Sequence, residues 1–189
     1  ETIPIIIWRE FDILSIINYF LNYNWFFIFL QNVLQYFGQF NLTYFPMSKY
    51  IFVSGGVISG IGKGVTSASI AFLMKSHGYK VTMIKADPYL NVDAGTMNPL
   101  EHGETFVLED GFETDMDIGT YERFTDENFG RKNSMTCGAV LNQVIKDERS
   151  LAYEGKWVSM DFHVPDEMVT WIKKVSEEVK ADITIIEIG

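Results

Sequence analysis

The sequence predicts an α/β domain of the P-loop type, three layers deep around a mostly parallel sheet. Three observations carry that expectation. Apolar strand-like runs alternate with helix-like segments from residue 47 onward. One strand enters a helix through "SGGVISGIGKGVTSAS", residues 54–69, a glycine-rich bend with a single lysine. The crossover from that strand through the helix to the next strand has the length that parallel pairing requires.

The elements follow in order. Lys49–Ser54, "KYIFVS", is a short apolar run ending in glycines, hence a buried strand. Lys63–His77 is a helix with apolar residues at Val65, Ala68, Ile70, Ala71, Phe72 and Leu73, and Gly78 stands at its C-terminal stop. Lys80–Ala86, "KVTMIKA", is the second strand. Residues 87–104 form a long polar loop of the kind that usually serves function. Thr105–Leu108 is a short strand, and the acidic stretch "EDGFETDMDIG" follows at 109–119. A helix covers Cys137–Arg149, Lys156–Phe162 reads as a strand, and Pro165 opens a helix running to about Val179. Asp182–Ile188, "DITIIEI", is an apolar strand with one acid near its end.

Composition divides the chain in two. Residues 1–46 hold half of the aromatic residues and only four charged ones, Glu1, Arg9, Glu10 and Asp12. Residues 13–31 are 19 in a row without charge, about the span of a bilayer core. Yet Asn18, Asn22 and Asn24 would sit mid-span, where amides are costly. A signal peptide would need a basic start and a small-residue cleavage site, and neither is present. The first methionine is Met47, directly before the soluble pattern. Residues 1–46 are therefore read as a non-native or mis-assigned N-terminal extension, residues 47–189 as the domain, and membrane attachment is not expected.

The whole chain of 189 residues carries a formal charge of −10, which excludes general attraction to nucleic acid. Any phosphate must be held by a local arrangement of amides and lysines. Cys137 is the single cysteine. It permits no internal disulfide and fits a reducing, cytoplasmic location.

The glycine-rich bend is such a local arrangement. A strand–loop–helix turn gathers backbone N–H groups, and the helix N-terminus adds positive potential. Gly55, Gly56, Gly60, Gly62 and Gly64 let the chain approach an anion without a Cβ. Lys63 supplies a point charge. The spacing departs from the usual motif, because Gly64 stands where a Ser or Thr hydroxyl is expected and Gly56 lies one residue too far upstream. Magnesium needs hard oxygen ligands, and Glu187, inside an apolar run, is expensive to bury without a partner. Asp115 and Asp117 alternate in sequence, so an extended backbone would put them on one face. Lys85 and Asp87 close the second strand, at the edge where parallel sheets bind ligands. His102 lies in the long loop, and His163, near a strand end, is read as structural.

"YIFVSGGVISGIGKG", "KADPYLNVDAGTMNPLEHGETFVLEDGFETDMDIGTYERF" and "IIEIG" together resemble the amidoligase domain of the CTP synthase family. The resemblance covers nearly all of residues 48–189. It implies ATP-dependent amination of UTP to CTP, with ATP and Mg²⁺, and it implies that glycine at the hydroxyl position is shared by the family. By matched position, Ser59 would touch the pyrimidine nucleotide. Gly60, Ile61, Gly62, Lys63, Gly64 and Val65 would wrap the ATP phosphates, with Lys63 the principal charge. Lys85 would steady the transferring phosphoryl group. Asp117 would meet ATP and Mg²⁺, Glu187 would be a second Mg²⁺ ligand, and His102 would lie toward the ammonia passage. The family assembles as a homotetramer and continues past "EIG" with further UTP-binding residues and a glutaminase domain that supplies the ammonia; the resemblance therefore implies that the α/β domain is incomplete at its C-terminus and that the fragment alone is inactive. Cys137, in "MTCGAV", is not the glutaminase nucleophile. Ser159 and Phe162 depart from the family's "TVQVxP" pattern and so alter part of the implied pyrimidine pocket. The rival readings are a partitioning-type switch ATPase, which would ordinarily carry Ser or Thr after its loop lysine, and a membrane-tethered scaffold resting on residues 13–45.

Overall fold

The computed structural model describes residues 5–7, 48–55 and 62–189. Its centre is a five-stranded sheet of β1 (Ile5–Ile7), β2 (Lys49–Val53), β3 (Val81–Asp87), β6 (Ser134–Thr136) and β7 (Ile183–Ile188). The spatial order is β1-β2-β7-β3-β6. β2, β7, β3 and β6 are parallel, and β1 is an antiparallel edge with Ile5 opposite Val53. That edge strand has no counterpart in the sequence reading, and the uncharged stretch at 13–31 lies outside the described residues. Among the described residues no helix is long and apolar enough to cross a membrane.

Strand alternation divides the core into two layers, as the period-2 pleat requires. Ile51, Val53, Met83, Ile183 and Ile185 face α1 (Lys63–Ser76), where Ala68 and Ala71 meet them. α3 (Met116–Thr125) covers the same face through Ile118 and Tyr121. Phe52, Ile84, Met135 and Ile186 face α4 (Cys137–Arg149) and α5 (Met160–Glu178), which contribute Val140, Val144, Met168 and Ile172. This is the three-layer α/β arrangement the sequence predicts. α1 packs through small residues, while Phe72 and Leu73 remain about half exposed. The helix therefore lies close to the sheet, with its first turn near the strands' carboxyl ends.

Two elements differ from expectation. The acidic stretch is not one extended segment. A tight turn at Gly111 closes a small hairpin of β4 (Phe106–Val107) and β5 (Glu113–Thr114), and α3 begins immediately afterwards. Asp115 stands at the N-cap position of that helix, without a side-chain capping bond, and Asp117 lies in its first turn, where an acid complements the helix dipole. They do not share a strand face. The cause is the burial of Ile118, Tyr121 and Thr125 along one side of α3, a period that helix satisfies and strand does not.

Residues 156–162 do not form a strand either. α5 starts at Met160, five residues before Pro165. The Ser159 backbone N–H donates to His163 Nδ1 at 3.0 Å, and Val164, Met168, Ile172 and Val175 carry the buried face. Pro165 removes the hydrogen bond to the carbonyl of Asp161, and the exposed first turn tolerates that loss. Phe162 consequently projects from a helix, 71% exposed. A short α2 (Pro99–His102), capped by the Asn98 side chain, interrupts the long loop.

Candidate functional site

The site is built by strand register. β3 and β7 are neighbours, and Lys85 stands directly opposite Glu187 in the ladder. Both side chains point to the face covered by α1 and α3. Lys85 Nζ lies 3.4 Å from Glu187 Oε1 and 3.1 Å from Asp87 Oδ1, two residues along the same strand. α3 delivers the third carboxylate, with Asp117 Oδ2 3.1 Å from the same nitrogen. Lys85, Asp87 and Glu187 are each at most 5% exposed, whereas the Asp117 side chain is 41% exposed.

One turn beyond Asp117 on α3, the buried Tyr121 hydroxyl donates to Glu187 Oε2. The first turn of α1 closes the other side. Gly62 caps that helix with φ +90°, a conformation that favours glycine. At Gly64 an added Cβ would lie 2.7 Å from Asp117 Oδ1 and 3.6 Å from Glu187 Oε2. The amino end of α1 therefore abuts the two acids, and Lys63, buried, begins that turn. Tyr89 links the cluster to the long loop. Its hydroxyl donates to Asp87 Oδ2 at 3.5 Å, and its ring stands edge-on to His102 with centroids 6.3 Å apart.

Three acids, Asp87, Asp117 and Glu187, contact one ammonium, and Asp115 adds a fourth negative charge to the neighbourhood. Burial alone would strip the proton from Lys85, but Asp87, Glu187 and Asp117 outweigh it and hold the group protonated well above the ordinary lysine range. Burial pushes Asp87 up to about 7, with Lys85 opposing and Asp115 adding to the rise. Asp115 and Glu187 are also raised, chiefly by burial and against the pull of Lys85. Burial and then Asp87 push the Cys137 thiol up to about 11, so it is held as the thiol at neutral pH.

A pH dependence follows from Asp87. The unfolded carboxyl releases its proton near pH 4 and the folded one near 7. Between those values the folded state keeps a proton that the unfolded chain has lost, so stability falls as pH rises through that window. The denaturation midpoint should drop from pH 5 to pH 8, and Asp87→Asn should reduce that drop. An undiminished drop in Asp87→Asn would assign the slope to other groups.

The surplus of carboxylate over cation suits a divalent metal. Among the described residues no three His, Cys, Asp or Glu side chains form an ion cage by themselves. Magnesium does not require one, because it keeps several waters and takes one or two carboxylates plus substrate phosphates. Asp117 and Glu187, beside the amino end of a helix, fit that role.

Of the residues singled out in the sequence, the structure brings together Lys63, Gly64, Lys85, Asp117 and Glu187. Gly62 caps the helix they border, and Val65 points outward, 54% exposed. Ser59, Gly60 and Ile61 lie outside the described residues. Ser159 precedes α5, with its hydroxyl buried and without a hydrogen-bond partner. His163 caps α5 and packs edge-on against Tyr153 at 4.9 Å, a structural position. Tyr121 was not singled out; its signal is the i, i+4 spacing from Asp117, visible only once the helix register is known.

A family model described as CTP synthase N-terminus matches residues 49–189. Among curated proteins, the CTP synthase of Nautilia profundicola is 56% identical over 143 residues, covering 76% of this chain and 26% of that protein. That of Sulfolobus acidocaldarius is 56% identical over 143 residues, with 76% and 27% covered. The Dictyostelium discoideum CTP synthase is 50% identical over 147 residues, with 75% and 26% covered. The chain spans about a quarter of the length of these relatives.

Proposed function

The chain belongs to the CTP synthase N-terminus family, and on that premise we propose that it is the nucleotide-binding portion of an enzyme that converts UTP to CTP at the expense of ATP. The observation that carries the reading is the meeting of Asp117 and Glu187 with Lys85 at the amino end of α1. A switch ATPase is not favoured, since the family match runs through the whole of the 87–119 block.

In this reading Ser59 contacts the pyrimidine nucleotide, and the amides from Gly60 to Val65 enclose the ATP phosphates. Lys63 adds charge at the terminal phosphates. Lys85, kept protonated by its three acids, stabilises the phosphoryl group in transit from ATP to the 4-oxygen of UTP. Ammonia then forms the new bond at carbon 4, the carbon–oxygen bond breaks, and phosphate leaves. Asp117 and Glu187 would hold Mg²⁺, which when bound neutralises phosphate charge. Those two side chains and Lys85 form one pre-arranged set, so positioning is supplied before the nucleotide arrives. The ammonia is assigned to glutamine hydrolysed in a separate domain, with His102 toward its passage, and the assembled enzyme to a cytoplasmic homotetramer.

The test is ATP binding by the 189-residue chain with and without Mg²⁺ and UTP. Magnesium should strengthen ATP binding, and UTP should strengthen it further. Lys63→Ala should weaken it by ~10-fold or more, the loss that goes with a charged hydrogen-bonding group. Binding indifferent to Lys63 and to magnesium would overturn the assignment.

A further inference from the structure

We propose that Tyr121 is a positioning residue that fixes the orientation of the Glu187 carboxylate, and so the site's affinity for magnesium–nucleotide. The inference rests on the reading of the site given above. Tyr121 is fully buried and Glu187 is 2% exposed, so each oxygen of this carboxylate has few partners to choose from. Oε1 faces Lys85 at 3.4 Å, and Oε2 accepts the Tyr121 hydroxyl. Oε2 is also the oxygen on the Gly64 side, toward the amino end of α1.

Without the phenol, Lys85 alone would govern the carboxylate. It could rotate until both oxygens met the ammonium, turning away from α1. Tyr121 is itself packed in the core beside Ile118 and Leu108. It lies one helical turn from Asp117 on the same side of α3, and Thr125 Oγ1 donates to its backbone carbonyl at 2.7 Å. One short helix thus supplies an acid directly and orients a second acid from the sheet. Outer-shell partners of this kind tune metal affinity by about 10–100-fold.

The experiment is a magnesium titration of ATP binding by the 189-residue chain in four forms: wild type, Tyr121→Phe, Glu187→Gln and the double variant. Tyr121→Phe removes one oxygen and keeps the ring. It should raise the magnesium midpoint by ~10-fold or more, a larger change than in magnesium-free ATP binding. In the Glu187→Gln background the same change should add less than about twofold, since a residue acting through another shows such coupling. A second readout needs no change at Tyr121. The ¹³C signal of its Cζ should move on magnesium–ATP addition in the wild type and stay still in Glu187→Gln. A wild-type magnesium midpoint in Tyr121→Phe, or an undiminished effect in the double variant, overturns the proposal. Absence of any magnesium response in the wild type overturns the functional reading itself, and the proposal with it.

Discussion

Lys85→Met is expected to destabilise the domain by about 3–5 kcal/mol, the range for removing one partner from a buried ion pair. Lys85 is the shared partner of Asp87, Asp117 and Glu187. Two of those acids are almost wholly shielded from water, so their charge would be left without compensation. The loss should be smaller at pH 5 than at pH 8, because the orphaned carboxyls can then take up protons. Added magnesium should recover part of it. Lys75→Met provides the contrast: its pair with Glu127 is 37% and 54% exposed, and exposed pairs contribute at most about 1 kcal/mol. Urea midpoints of both variants at the two pH values make the measurement. Equal, small losses would mean that the buried cluster relaxes or admits water, and that Lys85 is not its keystone. In the complete enzyme the same substitution should also cost ~10²-fold or more in turnover, the scale of losing one preorganised charge-stabilising group.

Most of the fold was legible because its central parallel strands are largely buried. "KYIFV", "VTMIKAD" and "ITIIEI" are mainly apolar runs without a period-2 polar face, the pattern that covering by helices on both faces produces. The helix at Cys137–Arg149 was equally plain, with Thr136 capping it. The misreadings share a cause. Residues 156–162 contain Trp157, Val158, Met160 and Phe162, which read as strand by composition. Burial of Val164 and Met168 one face further on decides for helix instead. The acids at 115 and 117 alternate in sequence, but the hairpin turn at Gly111 spends the extended segment before they are reached.

For the site, sequence exposed the groups with unusual chemistry, a lysine and a glutamate inside apolar strands, because their burial demands partners. It could not expose Asp87 as a partner of Lys85 rather than of solvent, nor Tyr121 as the partner of Glu187. The first depends on the burial of the β3 end, where Lys85 and Asp87 share a face, and the second on how α3 packs against β7. The β2-β7-β3 order places the last strand between the first two of the domain, and that order is what sets residue 187 against residue 85.

Gly64→Ala should change the sign of its effect according to whether Asp117 is present. Alanine is ordinarily the better helix residue, by up to about 1 kcal/mol over glycine, and Gly64 lies in the first turn of α1. Here, however, the new Cβ would lie 2.7 Å from Asp117 Oδ1, so that side chain has to turn aside and loosen its 3.1 Å contact with Lys85, at a cost of up to about 1–3 kcal/mol, the range for overpacking. In the otherwise unchanged chain the substitution should therefore destabilise the domain and, by displacing Asp117, weaken magnesium-dependent ATP binding by ~10-fold or more. In an Asp117→Ala background it should stabilise. The same geometry accounts for glycine, rather than Ser or Thr, at position 64. A side chain at position 64 points into the space between Asp117 and Glu187. In the common motif the hydroxyl at this position reaches the metal; here two carboxylates already occupy that quarter, and glycine is what leaves room for them. Gly64→Ser should accordingly fail to restore an ordinary phosphate loop while Asp117 is in place. Thermal midpoints of Gly64→Ala in the two backgrounds test this directly, and a substitution that is equally tolerated in both would show that Asp117 is not what excludes the side chain.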